Sequence, residues 1–409
     1  MTSEQRTRTP SKGDLLAVIS SISLLLLVWC AYETFATVVF FWPLLKLVGY
    51  WTIVILLVSL SHRSEVGRPS NVALGVEISI VLLLILLAQE ISVAHLPRPL
   101  FSPAVLDIGT LVEMAIRNFF VLHENPYYPS EVGRWSSFPG VAFMYGPLMM
   151  FGYLPAIWGP FWFKVCSFVY IAGILVLTGR FAAQGVQGVV PKIAAIVFAT
   201  AVVTMPRALL NDVSMGINDH LPVFLVLASL SLLQVSKSGA AGFLAGLSLS
   251  AKFSPAAFLI ILMIRRKFPF RFFVGVALGC LPMVPFFLWE PVRFFHDVVY
   301  FHFVKGGTPT SIFTITPPEL HYLIRDARLV CVVIFVARNF LKEVDVDSLM
   351  YEFTLMAVII NSLHVEMHSN YLVWVLPTSA VLFSRYRYRA WSLGRSVLGL
   401  SDAAPSLPR

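Results

Sequence analysis

Asp107, Glu113, Arg117, His123 and Glu124 fall in one stretch, Leu96 to Phe138, bracketed by long apolar runs. The stretch continues into Asn125-Pro126-Tyr127-Tyr128-Pro129. In so apolar a chain, a long polar segment is where ionisable groups can meet a substrate. A carboxylate held at such a surface can take a proton from an attacking hydroxyl, and Asp107 is the first candidate for that role. It directly precedes Ile108, Leu111, Val112, Ala115, Ile116 and Phe119. That spacing predicts an amphipathic helix lying in a membrane interface. The competing reading makes Asp107 a cap on the same helix.

The remaining unusual polar residues are Arg207, Asp212, Asp219, His220, Lys252, His302, Lys305, His364, Glu366, His368 and Asn370. Ionisable groups inside or beside membrane spans are functional candidates by default. Structural readings compete here too. Asp219 could cap the helix after it, although Asn218-Asp219-His220 could also face a cavity and touch hydroxyls. Lys252 could snorkel towards a membrane surface. Asn125 to Pro129 is also a loop with polyproline character, and Gly306-Gly307 with Pro309 is a turn by composition. Phe294, Phe295, Tyr300, Phe301 and Phe303 fit an interfacial aromatic belt.

These residues need a scaffold, and the totals define its class. The chain has 409 residues, 57% hydrophobic and 13% charged, with a mean hydropathy of +0.79. A soluble domain carries about 25% charged residues. Apolar runs long enough to span a bilayer recur throughout. The expected fold is all-α, a polytopic transmembrane bundle of about twelve crossings, forming one domain over 1–409. The net charge of +8 reflects basic cytoplasmic loops and not nucleic-acid binding. Cys30, Cys166, Cys280 and Cys331 all lie in apolar runs without zinc or disulfide spacing.

Basic clusters orient the spans. Arg6, Arg8 and Lys12 are expected to place 1–13 in the cytoplasm, and the apolar run after them is expected to be a retained helix and not a cleaved leader. Helices are expected near 15–34, 44–60 and 72–95, so that 96–138 forms the first outer loop. Pro139 to Pro160, broken by Pro147 and Pro155, is expected to dip into the membrane. Helices near 161–179, 190–205 and 220–235 follow. Ala240 to Ile264, between Lys237 and Arg265, is expected to enter and return with its turn near Lys252 to Pro255. The alternative is one crossing with a buried lysine, which requires a partner. A helix near 271–289 leads to a second outer loop, 290–328. Helices near 329–340, 349–363 and 370–384 precede a cytoplasmic tail, 385–409. No internal repeat is evident.

In this order, Asp107, the amphipathic helix, Asn125-Pro126-Tyr127 and Tyr145-Gly146-Pro147-Leu148 resemble the first outer loop of the GT-C superfamily. These are multi-spanning glycosyltransferases, and the likeness is nearest to the polyprenyl-phosphate-mannose-dependent mannosyltransferases. Ala251-Lys252-Phe253-Ser254-Pro255 resembles that family's lysine-proline turn. Gly306 to Ser311 resembles its second outer loop, and His368-Ser369-Asn370-Tyr371 with Leu376-Pro377 its late histidine-tyrosine segment. Departures are Gly146, where the family often has proline, an additional helix ahead of the catalytic loop, and Glu113 as the nearest second acid.

The resemblance implies transfer of a hexose, mannose by the motifs, from a polyprenyl-phosphate sugar to a lipid or glycan acceptor on the non-cytoplasmic face. Asp107 would be the base. Lys252, His368, Arg207, Lys305 and His302 would meet the donor phosphate, where cations stabilise the leaving group. Glu113, Asn125, Tyr127, Tyr145, Asp219, Asn370 and Tyr371 would line the substrates. In-line attack inverts the anomeric centre. The leaving group is a phosphate monoester, and no acidic cluster is evident, so no metal or other cofactor is expected. The membrane would be the plasma membrane in a prokaryote and the endoplasmic reticulum in a eukaryote. A secondary transporter or flippase would instead show repeats and midplane charges. A non-catalytic subunit of a glycan-assembly complex would tolerate loss of Asp107.

Overall fold

The computed structural model describes residues 107–127, 143–186, 189–204, 213, 215–252, 269–301, 317–340, 345–362, 373–382 and 384. The helices expected near 15–34, 44–60 and 72–95 and the two termini expected in the cytoplasm lie outside these residues. So does the turn expected at 253–255. Among the described residues every regular element is helical.

Helix α1, Asp107–Phe120, follows the expected amphipathic pattern. Leu111, Val112, Ala115 and Ile116 are buried, whereas Arg117 is exposed. The apolar stripe is covered by protein, not left for a membrane interface: it packs into a cluster with Tyr127, Tyr145, Met149, Met150 and Tyr153. After it, Pro147 and Pro155 break the chain into a short helix α2, Leu148–Gly152, and a 3-10 turn, Leu154–Trp158. This is the irregular segment that its prolines predict.

Helix α3, Pro160–Ala183, is the one described helix that is both long and apolar enough to cross a membrane. At about 1.5 Å per residue it exceeds a hydrocarbon core of about 30 Å. Its Phe168, Val169 and Val176 are exposed. Shorter apolar helices follow: α4, Val189–Thr204, and α5, His220–Gln234, pack against it, and α6, Ser238–Ala251, packs against α5. Helices α7, Phe270–Cys280, and α8, Met283–Trp289, form a pair bent by 51°. Pro282 at the break removes a backbone donor and accounts for the bend. Helix α9, Pro291–Phe295, runs into a π turn, His296–Tyr300. Helices α10, His321–Asn339, α11, Val346–Ser362, and α12, Val373–Leu382, follow. Helix α10 starts eight residues before its expected position, inside what the charges marked as outer loop.

Helices α6 and α7 pack backbone against backbone. Gly242 and Gly246 face α7, while Gly275 and Gly279 face α6. A methyl group added to any of the four would strike a backbone carbonyl of the other helix. These are two small-xxx-small repeats, the usual device for close helix pairs in membranes. Serine hydroxyls lock the neighbours: Ser250 Oγ donates to the Gly279 carbonyl at 2.8 Å, Ser248 Oγ to Pro222 at 3.0 Å, and Ser229 Oγ to Ala241 at 2.7 Å. Thr354 and Thr378 link α11 to α12 at 2.6 Å.

Buried apolar residues form two clusters. One is built on α3 to α7 and α10 to α12. The other joins α1, Tyr127 and 143–156 to Phe286, Phe294, Val298 and Phe301. Alternate residues of α5 serve both, Leu221 and Leu225 in the second, Val223 and Val226 in the first.

Candidate active site

The polar residues gather at the seam between these clusters. Asp219 stands at the N-terminus of α5 and is fully buried. Its Oδ1 takes a salt bridge from Lys252 Nζ at 2.7 Å and a hydrogen bond from Trp374 Nε1 at 2.9 Å. The carboxylate makes no capping bond to α5, so the cap reading of Asp219 does not hold. Lys252 follows the last residue of α6 and is also buried. Its stem does not snorkel to water. The ammonium lies 5.5 Å from the centre of the Tyr145 ring, within cation–π range. A buried lysine without a partner is costly, and here the condition for burying it is met. Helix α6 alone, at 14 residues, is too short to span the core.

Tyr145 connects this pair to the Asn125-Pro126-Tyr127 corner that follows α1. Asn125 Oδ1 accepts the Tyr127 backbone N–H at 3.0 Å, an Asx turn that shapes the corner. Tyr127 is buried, and its hydroxyl donates to the Tyr145 carbonyl at 2.8 Å. The Gly146 N–H then donates to the Ala251 carbonyl at 3.0 Å. A Cβ at 146 would collide with the Ser250 carbonyl. Position 146 thus uses both a backbone N–H, which proline lacks, and the space of a missing side chain. The Tyr127 ring also meets Phe143, Phe286 and Phe294 at 5.6, 5.9 and 4.9 Å. Burial and then the negative charge of Asp297 push its phenol well above the usual range. It therefore stays a neutral donor.

Around the Asp219–Lys252 pair, Asn218 and His220 are wholly buried. Neither polar atom of the Asn218 side chain has a hydrogen-bond partner. The His220 ring lies near the Ile217 carbonyl without a hydrogen bond of normal geometry. Ser167 Oγ ties the Ile217 carbonyl, at 3.4 Å, to the Tyr153 hydroxyl, at 3.3 Å.

Of the expected site residues, Asn125, Tyr127, Tyr145, Asp219 and Lys252 are thus joined by contacts across the chain. Asp107 opens α1, and its side chain lies outside the described residues. Glu113 is half-buried on α1. Burial raises its carboxyl above the usual range, and Arg117 one turn later opposes the rise. Arg207, His302, Lys305, His368, Asn370 and Tyr371 lie outside the described residues. Trp374 and Asp297 were not singled out from sequence. Trp374 sits in an apolar run that reads only as a span. Asp297 stood in an aromatic stretch read as a belt, yet it is 1% exposed.

One comparison bears on the chemistry of this site. Residues 139–338 match the family model of glycosyltransferase family 87. The match supports placement in the GT-C superfamily, membrane-bound glycosyltransferases that pass a sugar from a donor to an acceptor. It takes in Tyr145, Asp219, Lys252 and Asp297, and ends before Trp374. No curated protein and no solved structure matches the chain.

Proposed function

We propose that this chain is a multi-pass membrane glycosyltransferase that moves a hexose, mannose by its motifs, from a polyprenyl-phosphate sugar to a lipid or glycan acceptor. The reaction takes place on the non-cytoplasmic face by inverting single displacement. Asp107, at the first turn of α1, takes the proton of the attacking hydroxyl. The hydroxyl oxygen bonds to the anomeric carbon as the carbon–phosphate oxygen bond breaks, and the polyprenyl phosphate leaves as an anion. A phosphate monoester leaves without protonation, so cations suffice and the step uses no metal.

One observation supports this reading most directly. Motifs far apart in the chain converge: the Asn125-Pro126-Tyr127 corner holds Tyr145, Tyr145 lies beside Lys252, and Lys252 is anchored by Asp219. The family match over 139–338 supports the reaction class. Lys252 would meet the donor phosphate as half of an ion pair. Asp219 weakens its pull on a second anion but fixes its position. Arg207, His302, Lys305 and His368 would supply the remaining positive charge. Glu113, Asn370 and Tyr371 are proposed to contact the sugars, and Asn218, next to Asp219 in the chain, offers unused hydrogen-bonding capacity.

The test is transfer from radiolabelled polyprenyl-phosphate-mannose by the purified full-length protein in lipid nanodiscs, against a panel of lipid and glycan acceptors. Wild type is expected to transfer label. Asp107→Asn is expected to lose transfer by about a hundredfold or more, the usual scale for a general base. Full activity in folded Asp107→Asn would remove Asp107 as the base. Donor left intact by folded wild type would overturn the choice of donor.

A further inference from the structure

The π turn after α9 carries a second polar pair that the mechanism above does not use. His296 Nδ1 lies 2.8 Å from Asp297 Oδ1. Asp297 is buried, but the His296 side chain is 40% exposed. An ionised carboxylate only accepts hydrogen bonds, so Nδ1 carries the proton and donates it. In the neutral ring Nε2 is then a hydrogen-bond acceptor of fixed tautomer. This is the orienting logic by which a buried aspartate sets a histidine in hydrolase triads.

The pair is placed against the first outer loop. Phe294, one turn earlier, packs on Tyr127 at 4.9 Å, and the Asp297 charge reaches the Tyr127 phenol. The Tyr300 ring lies 5.7 Å from the His296 ring and is half-exposed. Fixed polar atoms beside exposed aromatic faces are how sites orient small polar ligands. A π turn inserted where a regular helix would continue is common at functional positions.

We infer that His296, oriented by Asp297, is an acceptor-binding residue. Its Nε2 accepts a hydrogen bond from a hydroxyl of a sugar or polyol head group that rests beside Tyr300. The inference rests on the glycosyl-transfer reading and adds the acceptor side of the site. Asp107 stays the base, and no bond is made or broken at His296. Asp297 is a positioning residue.

The experiment measures binding of octyl mannoside and a set of its monodeoxy analogues to the full-length protein in lipid nanodiscs, for wild type, His296→Ala, Asp297→Asn and Asp107→Asn. Loss of one hydrogen bond should weaken octyl mannoside by roughly three- to tenfold in His296→Ala. Asp297→Asn should act in the same direction, because its amide can donate to Nδ1 and so drive the ring proton to Nε2. One deoxy analogue should bind wild type and His296→Ala alike, because it lacks the hydroxyl that His296 accepts. A pair that serves only to neutralise Asp297 would move none of these ratios. Equal binding of octyl mannoside by wild type and both pair variants, or no saturable binding by wild type, would overturn the inference. Retained transfer in Asp107→Asn alongside weakened binding in His296→Ala would instead count against the base and leave the acceptor site standing.

Discussion

Lys252 and Asp219 tie the end of α6 to the start of α5, and Trp374 extends the link to α12. Removing one partner of a buried ion pair leaves the other charge desolvated, at a cost of about 3–5 kcal/mol. Lys252→Met should therefore unfold well below wild type in thermal scans. The double variant Lys252→Met/Asp219→Asn should recover part of the loss. No charge is then stranded, and the amide oxygen introduced at position 219 can still accept from Trp374. Additive losses in the double variant would mean that the two side chains act independently. Glu113 supplies a pH test. Burial raises its carboxyl, so the folded state holds that proton to higher pH than the unfolded chain does. Stability then falls as pH rises from about 4.5 through the raised folded value. Glu113→Gln should melt slightly higher than wild type at pH 7, and the difference should vanish near pH 4. The sign is the reverse of that for a salt-bridged carboxylate, because desolvation outweighs Arg117. A Glu113→Gln protein that melts lower at pH 7 would show that the Arg117 attraction prevails.

Among the elements, glycine positions decide how closely backbones approach. Gly146 is not needed for an unusual dihedral; it is needed because its N–H and Cα lie against the Ser250–Ala251 carbonyls. Gly146→Ala should destabilise by about 1–3 kcal/mol through overpacking. It should also lower transfer, because Tyr145 and Lys252 would separate. Restored activity on shortening a neighbouring side chain is not expected, since the clash is with backbone. A melting temperature within a degree or so of wild type would show that the corner can shift aside. The pairing of α6 with α7 was present in the sequence as Gly242-x-x-x-Gly246 and Gly275-x-x-x-Gly279. Hydropathy does not reveal it, because both helices read only as apolar. The amphipathic stripe of α1 was legible, because Leu111, Val112, Ala115 and Ile116 repeat at helical spacing. What covers that stripe was not: periodicity reports that a face is apolar, not whether lipid or protein meets it.

At the scale of the whole molecule, the orientation expected from the basic residues of 1–13, with 96–138 as an outer loop, puts Leu122 outside and the Gln184 end of α3 inside. In a cysteine-free background, Leu122→Cys should react with a membrane-impermeant maleimide in intact cells. Gln184→Cys should react only after permeabilisation. Neither side chain is covered by protein, and labelling after detergent solubilisation separates sidedness from cover by lipid. The reverse pattern would move the proposed catalytic loop to the cytoplasm and remove the non-cytoplasmic reaction.

The sequence by itself determined the helical class and the course of six of the described helices. Charge scarcity, apolar runs and helical spacing are local properties, and they located α1, α3, α4, α5, α11 and α12 to within a few residues. It also singled out Asn125, Tyr127, Asp219 and Lys252, because polar residues are rare in so apolar a chain, and Tyr145 only through the GT-C resemblance. Only the tertiary structure decided what these residues touch. The contacts Tyr127–Tyr145, Lys252–Asp219 and Asp219–Trp374 span 18, 33 and 155 positions. Partners at such separations leave no periodic trace in the chain. Asp297 shows the same limit: beside its aromatic neighbours it reads as part of a membrane belt. Only packing against Tyr127 and His296 reveals a buried carboxylate with an assigned partner. Burial and pairing are properties of an enclosed volume, and one-dimensional order does not carry them.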